Sequence, residues 1–576
     1  MDRYAAGEPA GGDEQVPAVI VCGIKVSHDG AIAVLDGQRL VFSAEMEKIG
    51  NGRRYSALGD LDRITAVLAG HGLDVADVDR FVIDGWWSDD DGPTLIDTLS
   101  GGRPVSVATA PYAADPFAPA PPSRYTFDGI AGSPLAGGYS SYPHASHHLY
   151  ASYCTGPFAG QAALGLVWDG GTLPRLYLVR PGRPVTGEYL GPLFGLVGDV
   201  FTYFCLALEP FHRPLDGLTE VQIVEHHLGT AGKAMAYAGL GSVDDDVMAA
   251  LDKLVAEVGV QSMGPEVGTT LAARCAALFP SHSSADLIAS FQEFIGRMLV
   301  GALTDAVARL ELPAPLPICL AGGCALNIKW NSVIRSSGLF TGVWVPPFTN
   351  DSGAAIGTAL CEVLYQGGDP VLEWNVYSGP AVTPSRPAPG WTARPCDEAQ
   401  LAALLHTTGE PVVVVDGRAE LGPRALGNRS ILAAPVAPAM KDELNRIKHR
   451  EPYRPVAPIC LESEASAVFD PGGADPYMLF DHRLRPGWAE RVPAVLHLDG
   501  TARLQTIRPD TPHTRVGRVL EEYHRISGVP LLCNTSANLA GHGFFPDVAT
   551  ATAWGGTPYV WSEGTLYTDE RRTNRV

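Results

Sequence analysis

Apolar residues fall into short β-branched runs broken by polar turns, alternating with longer stretches in which they recur every three or four positions. After an acidic, Gly/Ala-rich start (MDRYAAGEPAGGDEQ), expected as a disordered tail over 1–17, AVIVCGIK, AIAVL and RLVFSAE read as strands, with a hairpin turn at Asp36-Gly37. Helical spacing from Leu58 to Gly72 and the strand RFVIDGWW from Arg80 continue the series. Residues 101–142, rich in Pro, Gly, Ser and Tyr, read as an extended loop or lid. SSYPHASHHLYASYCTG then predicts a helix with Pro143 in its first turn, and AALGLVWDGG a strand ending at Asp169. Helical periodicity dominates 244–312. PLPICLAGGCALNIKWN and VWVPPFTNDSGAAIGTALCEVLYQ each give strand, turn and helix. YSGPAVTPSRPAPGWTAR, from Tyr377 to Arg394, is the clearest linker, so one domain is expected over 18–378 and a second over 395–576.

The stretch from Val412 to Pro458 reverses the sign of the chain. It carries Arg418, Arg424, Arg429, Lys441, Arg446, Lys448, Arg450 and Arg454 in a protein of formal net charge −21. Gly417, Gly422 and Gly427 between these cations let backbone approach a ligand, and guanidinium forks match phosphate or carboxylate oxygens, so the stretch predicts an anion cradle. Farther on, HLDGTARLQT puts Arg503 on a strand, and VPLLCNTSAN ends an apolar strand in the small polar set Asn534, Thr535, Ser536 and Asn538.

Composition narrows the function. With 46% hydrophobic and 18% charged residues over 576 positions, the chain has room for several cores. No apolar run approaches the roughly 20 residues that cross a bilayer, so no membrane partner is expected. Acids outnumber bases 63 to 42, which repels polyanions and argues against a nucleic-acid partner. Ten cysteines without a CxxC pair point to a reducing cytoplasm and no structural zinc.

His144 and His148 stand four apart on the expected helix, the spacing of two metal ligands on one face, and Asp169 and Asp351 at strand ends can complete the set. Two imidazoles with two carboxylates suit iron, manganese or zinc better than calcium. AGGCALN, with Gly322, Gly323 and Asn327, leaves strand for helix with free N–H groups and reads, with DSGAAIG, as a phosphate or nucleotide loop. His28, in SHDGA beside Asp29, is a candidate general base.

Together GRAELGPRALGNRSILA, KHREPYRPVAP, HLDGTARLQT, VPLLCNTSAN, LAGGCALN, the HxxxH at His144 and GKAMAYAGLG resemble the O-carbamoyltransferases of the nodulation and antibiotic-tailoring type. The resemblance implies an α/β chain with an N-terminal ASKHA (actin/RNase H-like) domain and a C-terminal YrdC-like domain. It implies that carbamoyl phosphate and ATP, with Mg2+, are joined into carbamoyl-adenylate in the C-terminal domain. A metal, Fe(II) in most of the family, then holds the intermediate in the N-terminal domain while a hydroxyl of a small-molecule acceptor attacks. It also points to a homodimer. By the same resemblance His144, His148, Asp169 and Asp351 are metal ligands and His28 is the base. Lys448, Arg454, Arg503 and Ser536 form the adenylate pocket, with Arg418, Arg424 and Asn538 as neighbours. The family's HHLxHA is HASHHLYA here, so His144 and His147 compete for one ligand position, and the usual sequence is lost after Asn538. The alternatives are a tRNA threonylcarbamoylation-type enzyme, which the acidic balance disfavours, and a non-catalytic nucleotide-binding regulator.

Overall fold

The computed structural model describes residues 19–573 apart from 88–92, 115, 259–263 and 312; the expected tail at 1–17 lies outside them. The first sheet is built from β1 (Ile20–Lys25), β2 (Ala31–Asp36), β3 (Arg39–Glu45) and β4 (Arg80–Asp84). A separate hairpin, β5 (Thr94–Ser100) with β6 (Arg103–Thr109), precedes β7 (Tyr125–Phe127) and β8 (Tyr139–Tyr142), which return to that sheet. Its order is β3-β2-β1-β4-β8-β7, with β1–β3 antiparallel and β1, β4 and β8 parallel. Residues 101–142 are therefore more ordered than a lid: the alternating VSVAT pairs as a strand, and coil is confined to the stretches around the prolines.

A second sheet repeats the pattern. β9 (Ala163–Val167), β10 (Arg175–Arg180) and β11 (Thr186–Pro192) form an antiparallel meander, and β12 (Ile318–Ala321) and β13 (Val343–Trp344) add in parallel, in the order β11-β10-β9-β12-β13. Between the sheets lie two helices, His144–Thr155 and Ala354–Tyr365, whose side chains are buried on almost every side. They touch so closely that a Cβ on Gly357 would stand 2.3 Å from the His147 carbonyl oxygen.

The helices of 245–309 pack over the second sheet. Among them Ser284–Arg309 is long and apolar enough to cross a bilayer, contrary to the expectation from the sequence. Its Leu287, Phe291, Phe294 and Leu299 lie in the core shared with β9 and β12, which accounts for that apolarity.

The C-terminal part introduces β14 (Trp391–Pro395), β15 (Val412–Val415), β16 (Arg429–Ala433), β17 (Ala457–Leu461), β18 (Phe469–Asp470), β19 (His482–Leu484), β20 (Thr501–Ala502), β21 (Gln505–Ile507), β22 (Leu531–Ser536), β23 (Tyr559–Ser562) and β24 (Thr565–Asp569). Eight of these make one mixed sheet, β14-β24-β23-β15-β16-β22-β17-β21, and β18–β20 a small one. Leu421, Leu426, Ala457 and Met478 also pack into the core around the two central helices, so the two parts share buried surface. The contact is polar too: the buried Lys48 ammonium donates to Glu45 Oε1 at 2.7 Å and to the carbonyls of Glu420 and Gly422 at 2.6 and 2.7 Å.

Candidate active site and metal centre

The helix His144–Thr155 leads from β8 and lies against β9 and β12, and its partners Asp169 and Asp351 follow β9 and β13. One turn apart, His144 and His148 turn Nε2 toward Asp351 Oδ1, at 3.3 and 3.5 Å, and toward the two oxygens of Asp169, at 3.8 Å each. The four residues named from the sequence thus converge. His147 joins them: the donor atoms of His144, His147, His148 and Asp351 lie within 4.8 Å of one another.

Behind this group stands Asp84, at the end of β4. Its Oδ2 receives His144 Nδ1 at 2.8 Å and its Oδ1 receives His147 Nδ1 at 2.7 Å. That fixes both rings with Nε2 as the free atom, an arrangement characteristic of imidazole ligands. Burial would push Asp84 up, but His147, Lys25 and His144 hold its carboxyl well below the ordinary range. Lys25, fully buried on β1, bridges Asp84 Oδ2 and Asp351 Oδ2 at 2.8 Å each. Burial likewise opposes ionisation of Asp351, but Lys25 and His144 keep it ionised. His147 is driven the other way, to about 3, by burial.

Asp169 is held from two sides. Tyr112 donates its hydroxyl to Oδ2 at 2.6 Å and the Gly323 N–H donates to Oδ1 at 2.7 Å. The AGGCALN turn, expected as a phosphate loop, thus spends one N–H on a protein carboxylate, and Asn327 caps the helix Ile328–Ser336 through Lys329 N and Trp330 N. Gly322 has φ +89, and a Cβ there would meet the Trp168 carbonyl oxygen at 2.3 Å. Asp199 stands over Gly170 with no hydrogen bond to its carboxylate among the described residues; burial and Asp169 raise it to about 6.

His28 opens toward this centre, its side chain 31% exposed. Nδ1 is 3.2 Å from Asp29 Oδ2 and 3.9 Å from Asp351 Oδ2, and the ring meets Trp86 edge-on at 5.4 Å. Burial would lower its pKa, but the bond to Asp29 and the charge of Asp351 raise it.

The donor set fits a divalent ion. Among the described residues the Nε2 atoms of His147 and His148 are buried without a hydrogen-bond partner, an arrangement that costs free energy unless a ligand satisfies it. Donors bound at about 2.1 Å in tetrahedral or octahedral geometry lie about 3.0–3.4 Å apart, close to the separations from Asp351 to His144 and His148.

The cationic run of the C-terminal part divides. Arg429 is buried and gives its guanidinium to the carbonyls of Asp416, Asn428 and Gly417. Arg418 bonds the carbonyls of Ser378 and Gly379 in the linker, and Arg446 pairs with Glu443 at the surface. Arg424, Arg450, Arg454 and Arg503 instead line one cleft with His497 and Tyr453. Among the described residues Arg424 Nε, Arg450 Nε and Nη2, and Arg503 Nε are buried without a hydrogen-bond partner. Burial and mutual repulsion lower Arg424 and Arg450 to about 10 and Arg503 well below its ordinary value.

Beside this cleft Lys448 donates to the Ser536 carbonyl at 2.6 Å, to the Asn538 carbonyl at 2.9 Å and to Asn538 Oδ1, so these three predicted residues also meet. Among the described residues no carboxylate pairs with Lys448. Burial and the charges of Arg450, Arg54 and Arg454 depress it strongly. Sequence reasoning selected Arg424, Lys448, Arg454, Arg503, Ser536 and Asn538, and named Tyr112 with Phe117, Tyr125 and Tyr139 as acceptor-pocket residues of the segment from Trp86 to Tyr142; it passed over Asp84, Lys25, Asp199 and Arg54.

Comparison with known proteins matches both parts of the chain. The family description "Carbamoyltransferase N-terminus" matches residues 20–96 and 135–360, and "Carbamoyltransferase C-terminus" matches 402–555. Nodulation protein U of Rhizobium tropici is 46% identical over 96% of each chain. The 3'-hydroxymethylcephem-O-carbamoyltransferase of Amycolatopsis lactamdurans is 33% identical over 91% of this chain and 94% of its own. Among solved structures, a ROK family protein from Streptococcus pneumoniae TIGR4 in complex with sucrose covers 60% of this chain and 99% of its own at 12% identity. Its TM-score of 0.24 is too low to carry weight. Matched in both halves and along nearly its whole length, the chain belongs to the carbamoyltransferase family and is a transferase enzyme.

Proposed function

We propose that this enzyme is an ATP-dependent O-carbamoyltransferase that divides its chemistry between two sites. The observation that carries the reading is the cleft of Arg424, Arg450, Arg454 and Arg503, four cations enclosed by protein, three of them with buried nitrogens left unpartnered. Such a cluster costs free energy while empty, with Glu451 beside Arg454 as a partial counter-charge, and ATP with carbamoyl phosphate supplies the anions that match it. One carbamoyl phosphate, one ATP with Mg2+ and one water give carbamoyl-adenylate, phosphate and pyrophosphate. The carbamoyl carbonyl is a poor electrophile because its nitrogen donates into it, and the mixed anhydride gives it a better leaving group.

Transfer to a hydroxyl takes place at His28. Asp29 orients the ring, whose free nitrogen takes the hydroxyl proton as the oxygen attacks and AMP leaves. His144, His148, Asp169 and Asp351 would hold a divalent metal, Fe(II) in this reading, with His147 as a further imidazole; when bound it supplies Lewis-acid polarisation of the donor. Lys25 keeps Asp351 ionised, His144 and His148 do the same for Asp169 against its burial, and the Tyr112 hydroxyl aims Asp169. The acceptor is a small molecule with a free hydroxyl, a reading supported by the name of the cephem relative. The matching order and direction of strands in the first two sheets support an ASKHA reading of the N-terminal part. The resemblance supports a YrdC-like reading of the C-terminal part. Incubation with ATP and carbamoyl phosphate, without acceptor, tests the activating half: pyrophosphate must appear only when both are present.

A further inference from the structure

The Asp169-Gly170-Gly171 turn that follows β9 is bare of side chains at its two glycines, and a carboxylate and two rings fill the room this leaves. A Cβ on Gly170 would stand 2.9 Å from Asp199 Oδ1, and one on Gly171 would stand 3.5 Å from the Trp87 ring and 3.8 Å from Tyr112 Cζ. Main chain holds Asp199 in place. Its N–H donates to the Gly170 carbonyl at 2.9 Å, and the Gly198 N–H lies 3.2 Å from the carbonyl oxygens of Asp169 and Thr172. Trp87 meets Tyr112 edge-on at 5.7 Å and leaves 52% of its own surface exposed.

Asp199 opens the helix Asp199–Leu206, where an acid ordinarily complements the free N–H groups of the first turn. Among the described residues its carboxylate accepts no hydrogen bond and forms no ion pair. The charged groups that act on it are Asp169 and His28, so no lysine or arginine balances it. The other two carboxylates here are engaged: Asp169 by Tyr112 and the Gly323 N–H, Asp351 by Lys25 and the imidazoles. Asp199 is left over, within reach of the His28 charge and across the glycine turn from a half-exposed indole. A carboxylate beside an open aromatic ring complements an ammonium group and repels an anionic one. The two sites thus differ in sign, four arginines facing the cleft and an unpaired acid facing this turn.

We propose that Asp199 is a specificity-determining residue that receives a positively charged amino group of the acceptor while the acceptor's hydroxyl lies at His28. The Trp87 ring is the second contact for the same group. This rests on the transfer role proposed for His28 and names the acceptor class: a hydroxyl compound that also carries an ammonium. The charge-assisted bond to Asp199 orients the acceptor, so that its hydroxyl and no other nucleophile meets the base.

The test uses the full-length, metal-loaded enzyme with ATP and labelled carbamoyl phosphate. The probes are ω-amino alcohols, the diols of the same chain lengths and the matching ω-hydroxy acids, and kcat/KM is read from the labelled carbamate ester. Amino alcohols are expected to exceed diols by about tenfold or more, the size of one charge-assisted hydrogen bond, with hydroxy acids lowest. Asp199→Asn should bring amino alcohols down to the level of the diols. Asp199→Lys should reverse the order and favour the hydroxy acids, a result that damage to the fold does not give. Amino alcohols no better than diols with the unsubstituted enzyme overturn the inference, as does a preference that survives in Asp199→Asn. Loss of transfer to every probe in both variants also overturns it, since that marks a purely structural role. Pyrophosphate release by the unsubstituted enzyme without acceptor is read alongside. Its absence overturns the proposed function and this inference with it; its presence without a preference for amino alcohols overturns this inference alone.

Discussion

His144 and His148 stand one helical turn apart and present Nε2 to the same oxygen of Asp351, at 3.3 and 3.5 Å. Neither ring is free to rotate away, because each sits in a helix packed on almost every side and Asp84 takes the Nδ1 of His144. The proposed metal centre is therefore preorganised by residues outside its donor set.

Asp84 is the first of these to test. Asp84→Asn leaves one carbonyl oxygen to serve two imidazole N–H donors and removes the charge opposite Lys25. Metal affinity, measured by competition with a chelator, should fall about 10–100-fold. Pyrophosphate release from ATP and carbamoyl phosphate should persist, since the cationic cleft is untouched.

Lys48 ties the two parts together in a setting that makes its loss depend on pH. It is 2% exposed and bonds Glu45 and two carbonyls of the C-terminal part. Burial raises Glu45 to about 7 despite Lys48. A carboxyl whose folded value lies above its unfolded one costs stability as pH rises through that window, and Lys48→Met widens the window by removing the opposing charge. Denaturant unfolding should show a loss of about 3–5 kcal/mol at pH 8 and a clearly smaller one at pH 5. An equal loss at both values would mean that Glu45 titrates normally.

The cleft arginines should trade stability for function. Arg503 is crowded by Arg424, Arg454 and Arg450, and among the described residues its Nε has no hydrogen-bond partner. Arg503→Met removes that repulsion. The ligand-free protein should gain about 1 kcal/mol in unfolding free energy while ATP-dependent pyrophosphate release falls at least a hundredfold.

Much of this was legible in the sequence where short-range spacing carries the signal. The HxxxH on its helix, the Asp at the end of an apolar strand and the GPRALGNRS and KHREPYRP runs mark residues that do meet. Lys25 and Asp84 were not legible, because each is an ordinary strand-end residue until folding brings it to the site, and Tyr112 was legible only as an acceptor-pocket aromatic, not as the partner of Asp169. Lys25 and His144 are 119 positions apart. Tyr112 lies in a proline-rich stretch between the matched family segments. The same limit explains Arg418 and Arg424: both follow glycine-bearing turns in one cationic run, yet Arg418 bonds the linker and Arg424 faces the cleft. Which way each points depends on backbone at Ser378 and Gly379, far upstream.

The division of labour between the two sites is the central claim, and one paired measurement tests it without knowledge of the acceptor. Pyrophosphate release from ATP and carbamoyl phosphate is compared in His28→Ala and Arg454→Ala. The account predicts that His28→Ala releases pyrophosphate as the unsubstituted enzyme does and that Arg454→Ala loses it. Loss of release in His28→Ala, or normal release in Arg454→Ala, would contradict the account.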